Sequence, residues 1–112
     1  FMMLADNRGV AYVMDDSLLY GERAKAPQPD KWVVTGESQD QEAYACMLRK
    51  GDTQFKELAD QVIADMSGTG EMEEIYNKWF TQPIPPRNAN LEFPLSDSMR
   101  ELFNNPTDKP YQ

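Results

Sequence analysis

Asp15 is the residue whose type and position best suit chemistry. It follows the run Val10-Ala11-Tyr12-Val13-Met14, whose length and β-branched and aromatic content predict a buried strand. Asp16-Ser17 and a helical stretch come directly after it. A carboxylate is thus expected at the C-terminal end of a strand, where the chain turns into a helix. In open α/β sheets that crevice holds ligands. A carboxylate there can accept charge-assisted hydrogen bonds from a ligand ammonium. The same position suits a plain helix cap, since Asp and Ser oxygens accept backbone N–H bonds at helix starts. The local sequence leaves both roles open. Paired acids also raise a Ca²⁺ or Mg²⁺ site, but metal loops space their oxygens at alternate positions and Asp15-Asp16 does not, so no metal site is expected.

Cys46 is the second candidate. In a predicted strand a lone cysteine is either a small buried hydrophobe or half of a disulfide whose partner lies outside this sequence. A catalytic thiolate is not expected, because no histidine can serve as its base. Glu42 and Tyr44 read as strand packing and solvation. Lys50-Gly51-Asp52 lacks the pattern of a phosphate loop and reads as a turn.

The balance of the chain narrows the classes further. It has 112 residues, the size of one small domain. Eleven Lys and Arg against nineteen Asp and Glu give a net charge of −8, which repels phosphate backbones and excludes nucleic acid as a partner through a basic surface. The absence of histidine excludes Ser-His-Asp and Cys-His catalysis and imidazole zinc sites, and one cysteine cannot form an internal disulfide. No cofactor is implied. No apolar run approaches the roughly 20 residues that span a bilayer. No signal peptide is visible, and the start at Phe1 leads us to expect that a leader or a longer segment precedes it. Eight prolines limit the share available for a core, so an incomplete folding unit is expected.

Stepping outward from Asp15, residues 1–8 read as the end of a helix stopped at Arg8-Gly9. A helix is predicted from Leu18 to Ala26, ended by Pro27. Trp32-Val33-Val34 is predicted as a second strand, parallel to the first through that helix. The polar stretch 36–41 reads as a linker, and Glu42 to Arg49 alternates like a strand. Phe55, Leu58, Ala59, Val62, Ile63 and Met66 lie at helical spacing, and after a break at Ser67-Gly68-Thr69-Gly70 the same spacing returns in Met72, Ile75, Tyr76, Trp79 and Phe80. Both stripes are expected to be core faces. Four prolines between Thr81 and Asp97 predict an extended segment, Ser96-Asp97 caps a short helix over 98–104, and the tail from Asn104 is expected to be poorly ordered.

Taken in order, three stretches resemble bacterial periplasmic amino-acid-binding proteins, the solute receptors of polar-amino-acid ABC transporters. They are RGVAYVMDDSLLYGERAKAPQPDKW, QEAYACMLRKGDTQFKELADQVIADM and GEMEEIYNKWFTQPIPPRN. The carrying residues are Arg8 to Asp15, the strand-turn from Tyr44 to Gly51, and the helix from Ile75 to Phe80. The extra segment IPPRNANLEFPLSDSMRELF resembles the glutamate/aspartate branch of that family.

The resemblance implies an α/β chain, the C-terminal part of a two-lobe, type II periplasmic-binding-protein fold that ends in helices and an extended tail. Residues 1–38 would finish the second lobe, 39–44 cross the hinge, 45–80 pack on the first lobe, and 81–112 form the tail with its short helix. It implies that Asp15 accepts hydrogen bonds from the α-ammonium of the ligand, with Asp16 as the cap, and that Cys46 has a disulfide partner upstream. The expected function is non-enzymatic: periplasmic binding of glutamate or aspartate and delivery to an inner-membrane ABC permease by lobe closure. The alternative is the same module within an enzyme or a sensory receptor. The isolated chain, with its helix stripes uncovered, is expected to associate with a second copy.

Overall fold

Helices form where the sequence closes its hydrogen bonds locally. The computed structural model describes residues 1–109. It contains α1 (Met2–Ala5), α2 (Asp16–Lys25), a 3-10 turn (Pro29–Lys31), α3 (Thr53–Thr69), α4 (Glu71–Phe80) and α5 (Asp97–Asn104). The chain divides into two compact units, one made of residues 1–36 and 78–94, the other of residues 37–77 and the chain from Leu95 onward.

The helix boundaries follow from end chemistry. Asp52 caps α3, its Oδ1 accepting the Phe55 N–H at 3.1 Å. Ser96 does the same for α5, its Oγ accepting the Met99 N–H at 3.2 Å, as the sequence predicts. The break between α3 and α4 is narrower than expected. Ser67, Gly68 and Thr69 stay helical, and the stop is Gly70 alone, at φ 81°. That left-handed conformation is one an L side chain resists and glycine adopts freely, so a glycine at this position ends the helix.

In the first unit, α2 is the central element. Phe93 stacks on Tyr20 with ring centroids 4.7 Å apart, and Phe80 meets Phe93 edge-on at 6.1 Å. Arg23 Nη2 bonds Glu92 Oε2 at 2.8 Å, and its guanidinium lies 6.0 Å from the centre of the Tyr20 ring. The segment that delivers Glu92 and Phe93 is folded on itself. The Ile84 N–H donates to the Ala89 carbonyl at 2.9 Å, and Asn90 Nδ2 donates to the Thr81 carbonyl at 3.0 Å. Asn90 Oδ1 accepts the Glu92 N–H at 2.9 Å, and the Phe93 N–H donates to the Phe80 carbonyl at 3.0 Å. At the start of the chain Phe1 packs edge-on against Trp32, 5.0 Å between centroids.

In the second unit, α5 lies against α3 and its side chains reach α4. Tyr76 is buried and meets Phe103 edge-on at 6.2 Å, while Arg100 Nη1 lies 2.6 Å from both Glu73 carboxylate oxygens. Residues 105–109 of the tail, expected to be poorly ordered, include Asp108, which pairs with Lys56 of α3 at 2.9 Å; residues 110–112 lie outside the described residues. Lys56 also pairs with Asp60 one turn along its own helix.

The expected strands do not form. Residues 10–14, 32–34 and 42–49 carry no ladder pairing, and the described residues hold a single β-bridge, Ile84 to Ala89. The parallel pairing of 10–14 with 32–34 is absent, and the described residues are helical rather than α/β. The reason is that a strand's N–H and C=O groups need a neighbouring backbone, and its apolar side chains a layer to face. Here Val10 is fully exposed and Met47 nearly so. The helix stripes are also less buried than expected. Phe55, Leu58, Val62 and Ile63 on α3 and Ile75 and Trp79 on α4 remain exposed, and the buried hydrophobics among the described residues are Ala26 and Tyr76.

Candidate functional site

Asp15 stands at the N-cap of α2, with φ −52° and ψ 138°. Its backbone carbonyl accepts the N–H groups of Leu18 and Leu19 at 3.1 and 3.0 Å, which closes the first turn. Its carboxylate makes no capping bond to the helix. Of the two roles left open by the sequence, the helix start falls to the Asp15 backbone alone, and its side chain makes no cap bond. Asp16 is not the cap. It is the first helical residue, and its Oδ1 accepts the N–H of Ser17 at 2.7 Å. Asp15 is exposed at the start of α2, where the helix dipole favours negative charge.

Cys46 is a free, exposed thiol in a segment without regular structure, so the buried-hydrophobe role is not the one it plays here. Glu42 and Tyr44 are exposed in that same segment. The turn at Lys50-Gly51-Asp52 opens a shallow surface depression at the start of α3, lined by residues 49–54. Its helix N-terminus is already occupied by the Asp52 carboxylate. Among the described residues no three His, Cys, Asp or Glu side chains gather as metal ligands, and no helix is long and apolar enough to cross a membrane.

Sequence reasoning missed the cluster of Tyr20, Arg23, Glu92 and Phe93. Tyr20 and Arg23 stand three residues apart and share one face of α2, a signal that was available. Their partners are 69 residues or more further along the chain, and nothing local points to them. Glu92 adopts φ 54°, a conformation rare for a residue with a side chain, held here by the Asn90 side chain on its N–H.

An acid at the start of α2, followed by the Tyr44–Gly51 and Ile75–Phe80 segments, points to a family of proteins rather than to a reaction. The chain belongs to the bacterial extracellular solute-binding proteins, family 3, whose sequence model matches residues 3–82. That is a family of binding proteins, not of enzymes.

Among individual relatives, the chain is 56% identical to the L-glutamate/L-aspartate-binding protein of Pseudomonas aeruginosa over 97% of its own length and 36% of that protein. It is 55% identical to the glutamate/aspartate import solute-binding protein of Escherichia coli, with the same coverage. A more distant relative is the ABC transporter glutamine-binding protein of Bacillus subtilis, 27% identical over 73% of this chain and 29% of that protein. The chain thus spans about a third of the length of the acidic-amino-acid binders it matches.

Proposed function

We propose that this chain is the C-terminal part of a periplasmic receptor that binds glutamate or aspartate and hands it to an inner-membrane ABC permease. The observation that carries the reading is the 54–56% identity, over 97% of the chain, to three proteins named for glutamate and aspartate binding. In this reading the complete receptor has the α/β, two-lobe fold. Residues 1–38 finish the second lobe, 39–44 form the hinge crossing, 45–80 pack on the first lobe, and 81–112 are the tail. The strands expected at 10–14, 32–34 and 42–49 would then find their sheet partners in chain that lies outside this sequence, and the exposed stripes of α3 and α4 their cover.

Asp15 is the ligand residue of this segment. Its carboxylate, which follows the 10–14 segment and makes no cap bond to α2, accepts hydrogen bonds from the α-ammonium. Ligand binding favours the closed arrangement of the lobes because the ammonium and the remaining ligand groups are gripped from both sides only there. Calorimetry on the full-length receptor with glutamate, aspartate, glutamine and arginine tests the assignment. Glutamate and aspartate should bind tightest, and Asp15→Ala should cost roughly 2–5 kcal/mol, because a buried ammonium is left unpaired. Unchanged affinity in that variant would exclude the role.

Cys46 would be half of a disulfide with a cysteine of the first lobe. In the full-length receptor it should resist alkylation until a reductant is added, and ready alkylation without reductant counts against the bridge. The 112-residue chain alone, with its α3 stripe uncovered, would associate with a second copy. A monomer by sedimentation at micromolar concentration would sink that idea.

A further inference from the structure

The cluster on α2 joins two parts of the chain that sequence order keeps far apart, and it sits on the helix that Asp15 begins. Tyr20 and Arg23 lie on one face of α2, and Phe93 and Glu92 grip that face by a ring stack at 4.7 Å and an ion pair at 2.8 Å. The Arg23 side chain is three-quarters covered, and its guanidinium also faces the Tyr20 ring, so it is held from two sides. The gripping segment is itself braced, by the Ile84–Ala89 bridge, by the Asn90 side chain on both Thr81 and Glu92, and by the Phe93 N–H on Phe80. Glu92 keeps an unfavourable positive φ in the process, which places its carboxylate and the neighbouring ring on α2 together. A helix is stiff over a length of about 12 Å, the distance that eight residues cover from Asp15 to Arg23. Fixing the face at Tyr20 and Arg23 therefore fixes the direction in which the Asp15 end points.

We propose that Tyr20, Arg23, Glu92 and Phe93 form a clasp whose task is to position Asp15 for the ligand, so that a segment far along the chain contributes to ligand affinity without touching the ligand. These are positioning residues. The proposal rests on the reading of Asp15 as the ammonium-binding carboxylate.

The test is a double-mutant cycle on the full-length receptor, read by calorimetry with glutamate and aspartate at ligand concentrations up to the millimolar range. Phe93→Ala should weaken binding by about tenfold when Asp15 is present and by less than about twofold in an Asp15→Asn background, because the clasp acts through that carboxylate. A clasp that merely supports the fold would instead lower affinity by the same factor in both backgrounds, or lower the unfolding midpoint and leave affinity untouched. Either result overturns the proposal. Should Phe93→Ala fail to fold, the ion pair decides. Arg23→Glu should weaken binding, and adding Glu92→Arg should restore most of it; equal affinity in all three forms overturns the proposal. A wild-type receptor that binds none of the amino acids refutes the proposed function itself, which the cycle reports separately from the clasp.

Discussion

The sharpest energetic contrast in this chain lies between two apolar residues of the same helical pattern, Tyr76 and Leu58. Tyr76 is 7% exposed and packs edge-on against Phe103, whereas Leu58 is 59% exposed on the open face of α3. Replacing a buried large aromatic by alanine removes about 3–5 kcal/mol. The ring partner Phe103 is only half-buried and can partly close the gap, so Tyr76→Ala should cost about 3 kcal/mol, near the lower end. Full burial of a leucine is worth about 1.5–3 kcal/mol, and less than half of the Leu58 side chain is out of water. Leu58→Ala should therefore cost less than about 1 kcal/mol, with a few tenths returned by the better helix propensity of alanine.

Urea unfolding of the 112-residue chain at low nanomolar concentration, where the proposed self-association is dissociated, followed by the fluorescence of Trp32 and Trp79, measures both. Equal costs for the two variants would refute the burial argument, as would a Tyr76→Ala cost below about 1 kcal/mol. In the full-length receptor, where the α3 stripe is proposed to be covered, the Leu58→Ala cost should rise to about 2–5 kcal/mol.

The two glycines at the α3–α4 boundary should respond in opposite directions. Gly70 has φ 81°, so Gly70→Ala should destabilise by about 1–2 kcal/mol; Gly68 is helical with open space at its Cβ position, so Gly68→Ala should stabilise by about 0.5–1 kcal/mol, and a thermal melt of each compares the signs. The tail contact is pH-dependent. The hydrogen bond from Lys56, and its charge, hold the Asp108 carboxyl below the usual carboxylate range. A depressed folded-state value means that the pair contributes above the unfolded value of about 4 and is lost as pH falls further. The bond to Asp60, then that to Asp108, raises Lys56 above the ordinary lysine value, so the ammonium persists through the neutral and mildly alkaline range. Carbon NMR shifts of Asp108 should show a midpoint below about 4, and a midpoint at or above it would remove the contact from consideration.

The helices were legible to within a few residues because their signals are local. Ser96 announces a helix start, Pro27 and Gly70 announce stops, and the stripes on α3 and α4 recur at helical spacing, whereas Asp52, read as part of a turn, is the cap of α3. The reading failed by three residues at the α3 stop, since Ser67-Gly68-Thr69 looks like a break but only Gly70 takes a left-handed turn. Asp15 was legible as a candidate because an apolar run, an acid and a helix follow one another in eight residues, although the strand expected from the apolar run is not formed. The clasp was not legible, because Glu92 and Phe93 sit in a proline-rich segment with no periodic pattern.

By itself the sequence determined where the main helices lie, that Ser96 caps α5, and that an acid of the Asp15-Asp16 pair starts α2. Each of these depends on hydrogen bonds that close within about four residues, so the chain carries both partners in one neighbourhood. Tertiary structure decided which members of the apolar stripes are buried, that residues 10–14 and 42–49 form no strand here, and that the segment from Ile84 to Phe93 returns to α2. Burial and β pairing need surfaces supplied from distant chain, and a short sequence pattern does not encode whether those surfaces are at hand.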